Sequence, residues 1–311
     1  MKKIFFPITS LLLAAVLLIS CDKDEDTKPA YPTLDAYLKS KSNLTIFTAA
    51  LEKAQLQAFK EGPGPFTWIA PTDEAFQAGL VTMDSLNKMT PGKVNYLLQY
   101  HLINASLTSP DMVAQNSFPR SSQLGSGNGN LYVGQLGNTF YINGGKLNST
   151  DNMVANGVVH ESSRLHVPPV LKGNLQAILT STGQHSLFIA ALTKGARWTA
   201  LSSASVFTVF APTDAAMTAA GYTTTSISAA TVGAMDSLVR YHMFSGARIF
   251  SNDVGNKTSP GTFLGATKTL VGSGDGTKIK GTSNATAIDI VKPDMLGING
   301  VVHSISGVLK F

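Results

Sequence analysis

The chain has 311 residues, enough for two domains of ordinary size, each able to bury its own core. With 43% hydrophobic and 14% charged residues it is too apolar to be disordered and too interrupted to span a membrane repeatedly. The formal charge of +5 falls to +3 once Lys2 and Lys3 are set aside, and no basic cluster remains, so nucleic acid is not an expected partner.

The elements begin with a leader. Lys2 and Lys3 precede a short apolar run from Leu11 to Ile19, the pattern of a secretory signal over residues 1–20. The run ends Leu18-Ile19-Ser20-Cys21, which resembles a bacterial lipobox, so Cys21, the single cysteine, is the expected lipidation site. Acyl chains there would make the membrane a partner of an anchored protein that does not span it. Residues 21–32 carry four acids in the five positions from Asp22 to Asp26, followed by Pro29, and read as a solvated tether. Lys23-Asp24-Glu25 also resembles the surface-export signal of Bacteroidota-type lipoproteins. The expected location is the bacterial outer membrane, at the cell surface or on the periplasmic face.

Beyond the tether the chain is duplicated. Phe66–Phe76 recurs as Phe207–Met217 and Tyr100-His101 as Tyr241-His242, both offset by 141; Asn156–His160 recurs as Asn299–His303, offset by 143. Two residues are therefore inserted between Tyr241 and Asn299. Pro168-Pro169-Val170 marks the boundary between domains at 33–168 and 171–311.

In each copy a helical stripe comes first, on Phe47, Ala50, Leu51 and Ala54, then on Phe188, Ala191 and Leu192. Apolar runs Phe66–Ala70 and Val206–Ala211 predict buried strands, stopped at Pro71 and Pro212. Thr72 and Thr213 follow as N-caps, with Asp73 and Asp214 at the positive end of the next helix. Val94, Leu97, Leu98 and His101, with Met235, Leu238, Val239 and His242, form a second stripe. Hairpins are predicted around Gly137-Asn138, between Leu131–Leu136 and Thr139–Asn143, and around Asp275-Gly276, between Thr267–Val271 and Thr277–Lys280. Closing strands are expected at Gly157–His160 and Val301–Val308. Helices followed by hairpins give an α+β fold.

The paired motifs Ala-Pro-Thr-Asp, Tyr-His and Asn-Gly-Val-Val-His resemble those of the fasciclin (FAS1) family, over residues from about 33 to 311. The resemblance implies two wedge-like α+β domains, each a twisted β-sandwich with several helices. Asn156, Gly157, His160, Asn299, Gly300 and His303 are then its closing structural motif. The first copy departs from the pattern at Ser162 and His166, where the second has Ile305 and Leu309, so its last strand is expected to be less apolar or rearranged. Ala215 and Met217 replace Glu74 and Phe76 in the second copy.

The recurring histidines, acids and glycines invite several chemical readings. His101 or His160 with Asp73, and their counterparts, could be read as a hydrolytic site, but no Gly-x-Ser-x-Gly elbow accompanies them. His160-Glu161-Ser-Ser-Arg164 lacks the second histidine of a zinc helix, and Gly276-Thr277-Lys278 reverses the order of a phosphate loop. Gly125–Gly129 reads as a hairpin tip. No metal or cofactor is expected. Binding surface is what remains. The family resemblance implies candidates at Tyr100, His101, Asp151 and Met153, and at Tyr241, His242, Asp294 and Met295, with core packing as the alternative role for each. The reading is a non-enzymatic, lipid-anchored adhesion or ligand-binding protein, contacting a surface glycan, a matrix protein or an envelope protein. An accessory glycan-binding component of a polysaccharide-uptake system is the alternative, and a hydrolase the more distant one.

Overall fold

The computed structural model describes residues 31–114, 119–125, 129–254, 259 and 261–311. The leader, Cys21, most of the tether and the middle of the Gly125–Gly129 tip lie outside them. Apart from Tyr31, the described residues belong to one compact unit, Pro32–Phe311. Among the described residues no helix is long and apolar enough to cross a membrane.

The first repeat opens with α1 (Leu34–Lys39), α2 (Thr45–Ala54) and α3 (Gln57–Glu61), then β1 (Phe66–Pro71). Helices α4 (Asp73–Ala78), α5 (Met83–Lys88) and α6 (Pro91–Gln99) lead to β2 (Leu102–Ile103) and α7 (Ser109–Ala114). Strands β3 (Pro119–Ser121), β4 (Asn130–Leu136), β5 (Thr139–Ile142), β6 (Gly145–Val154) and β7 (Gly157–Ser162) close it. After a 3₁₀ turn at Pro169–Leu171 the second repeat follows with α8 (Leu175–Thr182), α9 (Ser186–Lys194), a 3₁₀ turn at Trp198–Ser202 and β8 (Phe207–Pro212). Then come α10 (Asp214–Ala219), α11 (Thr224–Ala229), α12 (Val232–Tyr241), β9 (Met243–Ser245) and α13 (Ser251–Val254). The last strands are β10 (Leu270–Gly272), β11 (Lys278–Gly281), β12 (Ile288–Gly297) and β13 (Gly300–Ile305).

The strand order is β2-β1-β7-β6-β5-β4-β3 in the first repeat and β10-β11-β12-β13-β8-β9 in the second. Each sheet has one parallel pair, β1 with β7 and β8 with β13, among antiparallel neighbours. Helices pack on that pair. Phe47, Ala50, Leu51 and Ala54 bury one face of α2 against Trp68 and Val159, and Phe188, Ala191 and Leu192 of α9 join Val209 and Val302. At roughly 1.5–3 kcal/mol for each large side chain buried, these two clusters dominate the favourable side of folding.

Differences from the sequence reading lie at element ends. Asn143 is not in β5: its φ of 47° turns the chain into Gly144 and β6, and its amide bonds Tyr132 N and the Tyr100 hydroxyl. Strand β10 starts later and is shorter than expected, pairing with β11 only over Leu270–Gly272; Thr262 and Gly265 form an isolated bridge ahead of it. The closing strand of the first repeat is not rearranged: β7 pairs with β1 over Phe66↔Gly157 to Pro71↔Ser162, as β13 does with β8 over Phe207↔Gly300 to Pro212↔Ile305. Ser162 and His166 replace the apolar contact of Ile305 and Leu309 with a buried hydrogen bond of 3.0 Å.

Candidate functional site

Each motif has a mechanical task. Pro71 and Pro212 end their strands, and the Thr72 and Thr213 hydroxyls accept from Ala75 N and Ala216 N as N-caps. Asp73 also reaches back to α2, whose own N-cap position, Leu44, has no side chain to offer; it accepts from Ile46 N at 2.8 Å and Thr45 Oγ1 at 2.7 Å. Asp214 does the same for α9, through Leu187 N and Ser186 Oγ. Sequence reasoning missed this second role because the two ends are 28 residues apart.

In the closing motif, the Asn156 amide donates to the carbonyls of Phe59, Lys60 and Gly62, tying the β6–β7 turn to the end of α3. Asn299 donates to Leu201 and Ser203 and accepts from Leu175 N. Gly157 and Gly300 let the parallel neighbour approach. A Cβ there would stand 1.9 Å from Phe66 O and 1.8 Å from Phe207 O.

The histidines hold backbone. His101 sits two residues past α6, where the last carbonyls lack helical partners. Its Nδ1–H donates to Leu97 O and its Nε2 accepts from His166 N. His242 repeats this with Leu238 O and Leu309 N. His160 Nδ1 accepts from Asp151 N and its Nε2–H donates to Leu107 O; His303 does so with Asp294 N and Ile249 O. Carbonyls only accept and amides only donate, so the partners fix each ring as one neutral tautomer. Burial lowers the pKa of all four, His101 and His242 to about 4. Asp73 and Asp214 bond none of these rings, so the residues of the hydrolytic reading are not brought together.

The bonds of His160 and His303 lead to one loop in each repeat. β6 and β12 both bulge in the stretch that carries Asp151 and Asp294, and each aspartate takes a φ of 59°. From there the Asp151 carboxylate accepts from Ser109 N at 2.8 Å and from Ser109 Oγ, fixing the start of α7. Thr67 Oγ1 donates to Ala105 O and accepts from Leu107 N. The second repeat copies every bond, with Thr208 offset by 141, Ala247, Ile249 and Ser251 by 142, and Asp294 by 143. One inserted residue thus lies between Tyr241 and Ala247, and the other between Ser251 and Asp294.

The candidate binding residues sit behind this loop. Tyr100, His101, Tyr241 and His242 are fully buried, and Met295 and Asp294 nearly so; Met153 and Asp151 are half-buried. Exposed instead are Asn104, Ala105, Ser106, Pro110 and Val113 of the first repeat. The matching loop of the second repeat is covered by the first. Phe250 packs on Tyr132 with ring centroids 5.6 Å apart, and the Arg248 guanidinium lies 5.2 Å over the same ring. Arg164 reaches Asp294 Oδ2 at 3.3 Å and Asn143 O at 3.2 Å. Gly144 and Gly134 make the fit possible, since a Cβ would meet Asp294 Oδ2 or Asn252 Nδ2 within 2.3 Å. Repeat matching aligns the two loops, but no periodicity shows that one of them is covered.

Fold and site together define a duplicated α+β module whose recurring motifs clamp a loop. A family model for the fasciclin domain matches residues 42–168 and 183–311, and the chain belongs to that family. It is 26% identical over 266 residues to transforming growth factor-beta-induced protein ig-h3 of Sus scrofa, covering 85% of this chain and 37% of the relative. Human periostin matches at 25% over 158 residues, 50% of this chain and 18% of the relative. The chain therefore spans less than two fifths of the length of these relatives. A FAS1 domain pair from the insect cell adhesion molecule Fasciclin I aligns over 85% of this chain and 96% of its own, with 17% identity and a TM-score of 0.42.

Proposed function

We propose that the protein is a lipid-anchored adhesion or ligand-binding protein of the bacterial outer membrane, and that it makes contact through Asn104–Val113 of the first domain. Two fasciclin domains are typical of adhesion and ligand-binding proteins. The observation that carries the choice of surface is the asymmetry between the two clamped loops: the first is exposed, the second is packed on its neighbour. Asp151 and His160 act here as positioning residues that hold the loop from behind through Ser109 and Leu107, with Tyr100 packed beneath Leu107 and Met112; His101 instead ties the end of α6 to His166. A glycan, a matrix protein or another envelope protein is the partner to be sought.

The test is to screen Pro32–Phe311 against arrays of glycans and matrix proteins, and then to repeat each hit with Val113→Asp. Val113 is 52% exposed, so the variant keeps its unfolding midpoint while binding falls roughly tenfold or more. Undiminished binding would move the contact surface elsewhere. A hit confined to glycans would favour the polysaccharide-uptake role. The anchor has its own test: Cys21→Ala in the full chain should block acylation and leave an unprocessed precursor that does not reach the outer membrane. Unchanged processing and membrane retention would remove the lipid from the proposal.

A further inference from the structure

A groove of about 790 Å³ opens in the first domain between α5, α6 and the segment after β7. Its floor is the outer face of the helical core, made by the buried side chains of Val81, Leu97 and Leu165. Met89 and Val167 form its half-buried walls, and Leu171, 62% exposed, stands at its edge. The size falls within the range of small-molecule sites, and the lining is mostly apolar with a few polar groups on one side.

Those polar groups are unengaged. Thr90 is the N-cap residue of α6, yet its hydroxyl makes no cap bond. The exposed Lys93 ammonium has no carboxylate or carbonyl partner among the described residues. Thr90 occupies the N-cap position of a nine-residue helix and Lys93 lies in its first turn, where the backbone dipole also favours negative charge.

The second repeat is an internal comparison. The equivalent groove, bounded by Tyr222, Ala234, Leu238 and Val308, measures about 290 Å³. Tyr222 replaces Val81 and packs into that space against the core, and Ala234 replaces Lys93. Thr231, the counterpart of Thr90, is engaged, accepting from Ala234 N at 3.2 Å. The second groove keeps a cation, Lys310, on its far wall, but the space, the cation in the helix's first turn and the free hydroxyl are lost together in that copy and present together in the other.

We propose that the first-domain groove binds an amphiphile with a single anionic head and an aliphatic chain, the head at Lys93 and Thr90 and the chain over Val81, Leu97 and Leu165. The assignment stands apart from the adhesion loop. A carboxylate at Lys93 and Thr90 would gain charge-assisted hydrogen bonds, and the chain would cover apolar surface that now faces water.

The experiment is calorimetric titration of Pro32–Phe311 with decanoate, decanol and decyltrimethylammonium, each below its micelle-forming concentration. Decanoate is expected to bind saturably at one site per chain, more tightly than decanol, with the cation weakest. Lys93→Ala, a surface change, should weaken decanoate by roughly three- to tenfold and leave decanol unchanged. Val81→Tyr installs the residue found in the other repeat and should abolish binding, with folding checked by near-ultraviolet circular dichroism. Tyr222→Val combined with Ala234→Lys should raise the stoichiometry from one to two. Absence of saturable binding, or affinity indifferent to the head group and to Lys93→Ala, overturns the proposal. So does concentration-dependent dimerisation lost on Val81→Tyr, which would give the groove to a second copy of the chain.

Discussion

Lowering the pH from 7 towards 4 is expected to unfold this protein by proton uptake at its histidines. All six, at positions 101, 160, 166, 185, 242 and 303, are buried, none more than 3% exposed. Burial depresses the pKa of each, His101 and His242 to about 4 from 6.5 and His166 well below its usual value. The folded-state pKa lies below the unfolded one. Between the two the unfolded chain therefore binds more protons, and stability present above about pH 6.5 drains away as pH falls. A displacement of about two and a half units amounts to about 3 kcal/mol for each of His101 and His242 once pH reaches the folded value. Protonation would set a second N–H against an amide that already donates, His166 N for His101 and Leu309 N for His242.

Urea midpoints measured at half-unit steps from pH 7.5 to 4.5 should fall steadily, with several protons taken up per molecule unfolded. Flat midpoints over that range would show that the rings are solvated or already charged. Glu161 acts in a lower window. Burial raises its pKa, but Lys41, Asn43 and Tyr37 outweigh that and hold it below the usual 4.5, so its contribution is lost only in stronger acid. Ser162→Ile with His166→Leu copies the second repeat and removes one buried ring. The acid slope of that variant should shrink accordingly.

The second large effect is expected at Gly157 and Gly300. Each faces the first residue of its parallel partner, Phe66 or Phe207, and an added methyl group would meet that residue's carbonyl oxygen below 2 Å. The neighbour is backbone in a fully paired strand, so relief means parting the two central strands. Gly157→Ala or Gly300→Ala should cost about 4 kcal/mol or prevent folding, against about 1 kcal/mol for Gly137→Ala. Gly137 also has a positive φ, of 58°, but open space around it. Midpoints from urea unfolding of the three variants decide the matter. A Gly157→Ala protein within 1 kcal/mol of the parent would mean that the strands do not lie this close.

Much of this was legible in the residues. The duplication, the apolar strand before Pro71, the Thr72 cap and the turn at Gly137-Asn138 depend on neighbours in sequence, and all of them stand. The long-range tasks were not legible. Nothing near Asp73 says that α2 lacks a cap, and nothing near His160 says that its proton goes to Leu107, 53 residues away. The Tyr-His pairs read equally well as surface or core, and burial decided it. The groove left one trace, the exchanges of Val81 for Tyr222 and Lys93 for Ala234 between aligned repeats, visible only once the helices on either side are placed.

The parallel pairing of β1 with β7 also sets how the first domain meets tension. The chain enters β1 at one end of the pair and leaves β7 at the other, so a pull along the chain slides the two strands past each other. Load is then shared by all six residue pairs from Phe66↔Gly157 to Pro71↔Ser162, whereas a hairpin pulled open would yield one pair at a time. The second domain has the same six-pair ladder between β8 and β13. Resistance to such a pull is set by the rate of unfolding and not by the equilibrium stability. The sheet order thus gives each domain one parallel pair that a pull on the chain loads in shear.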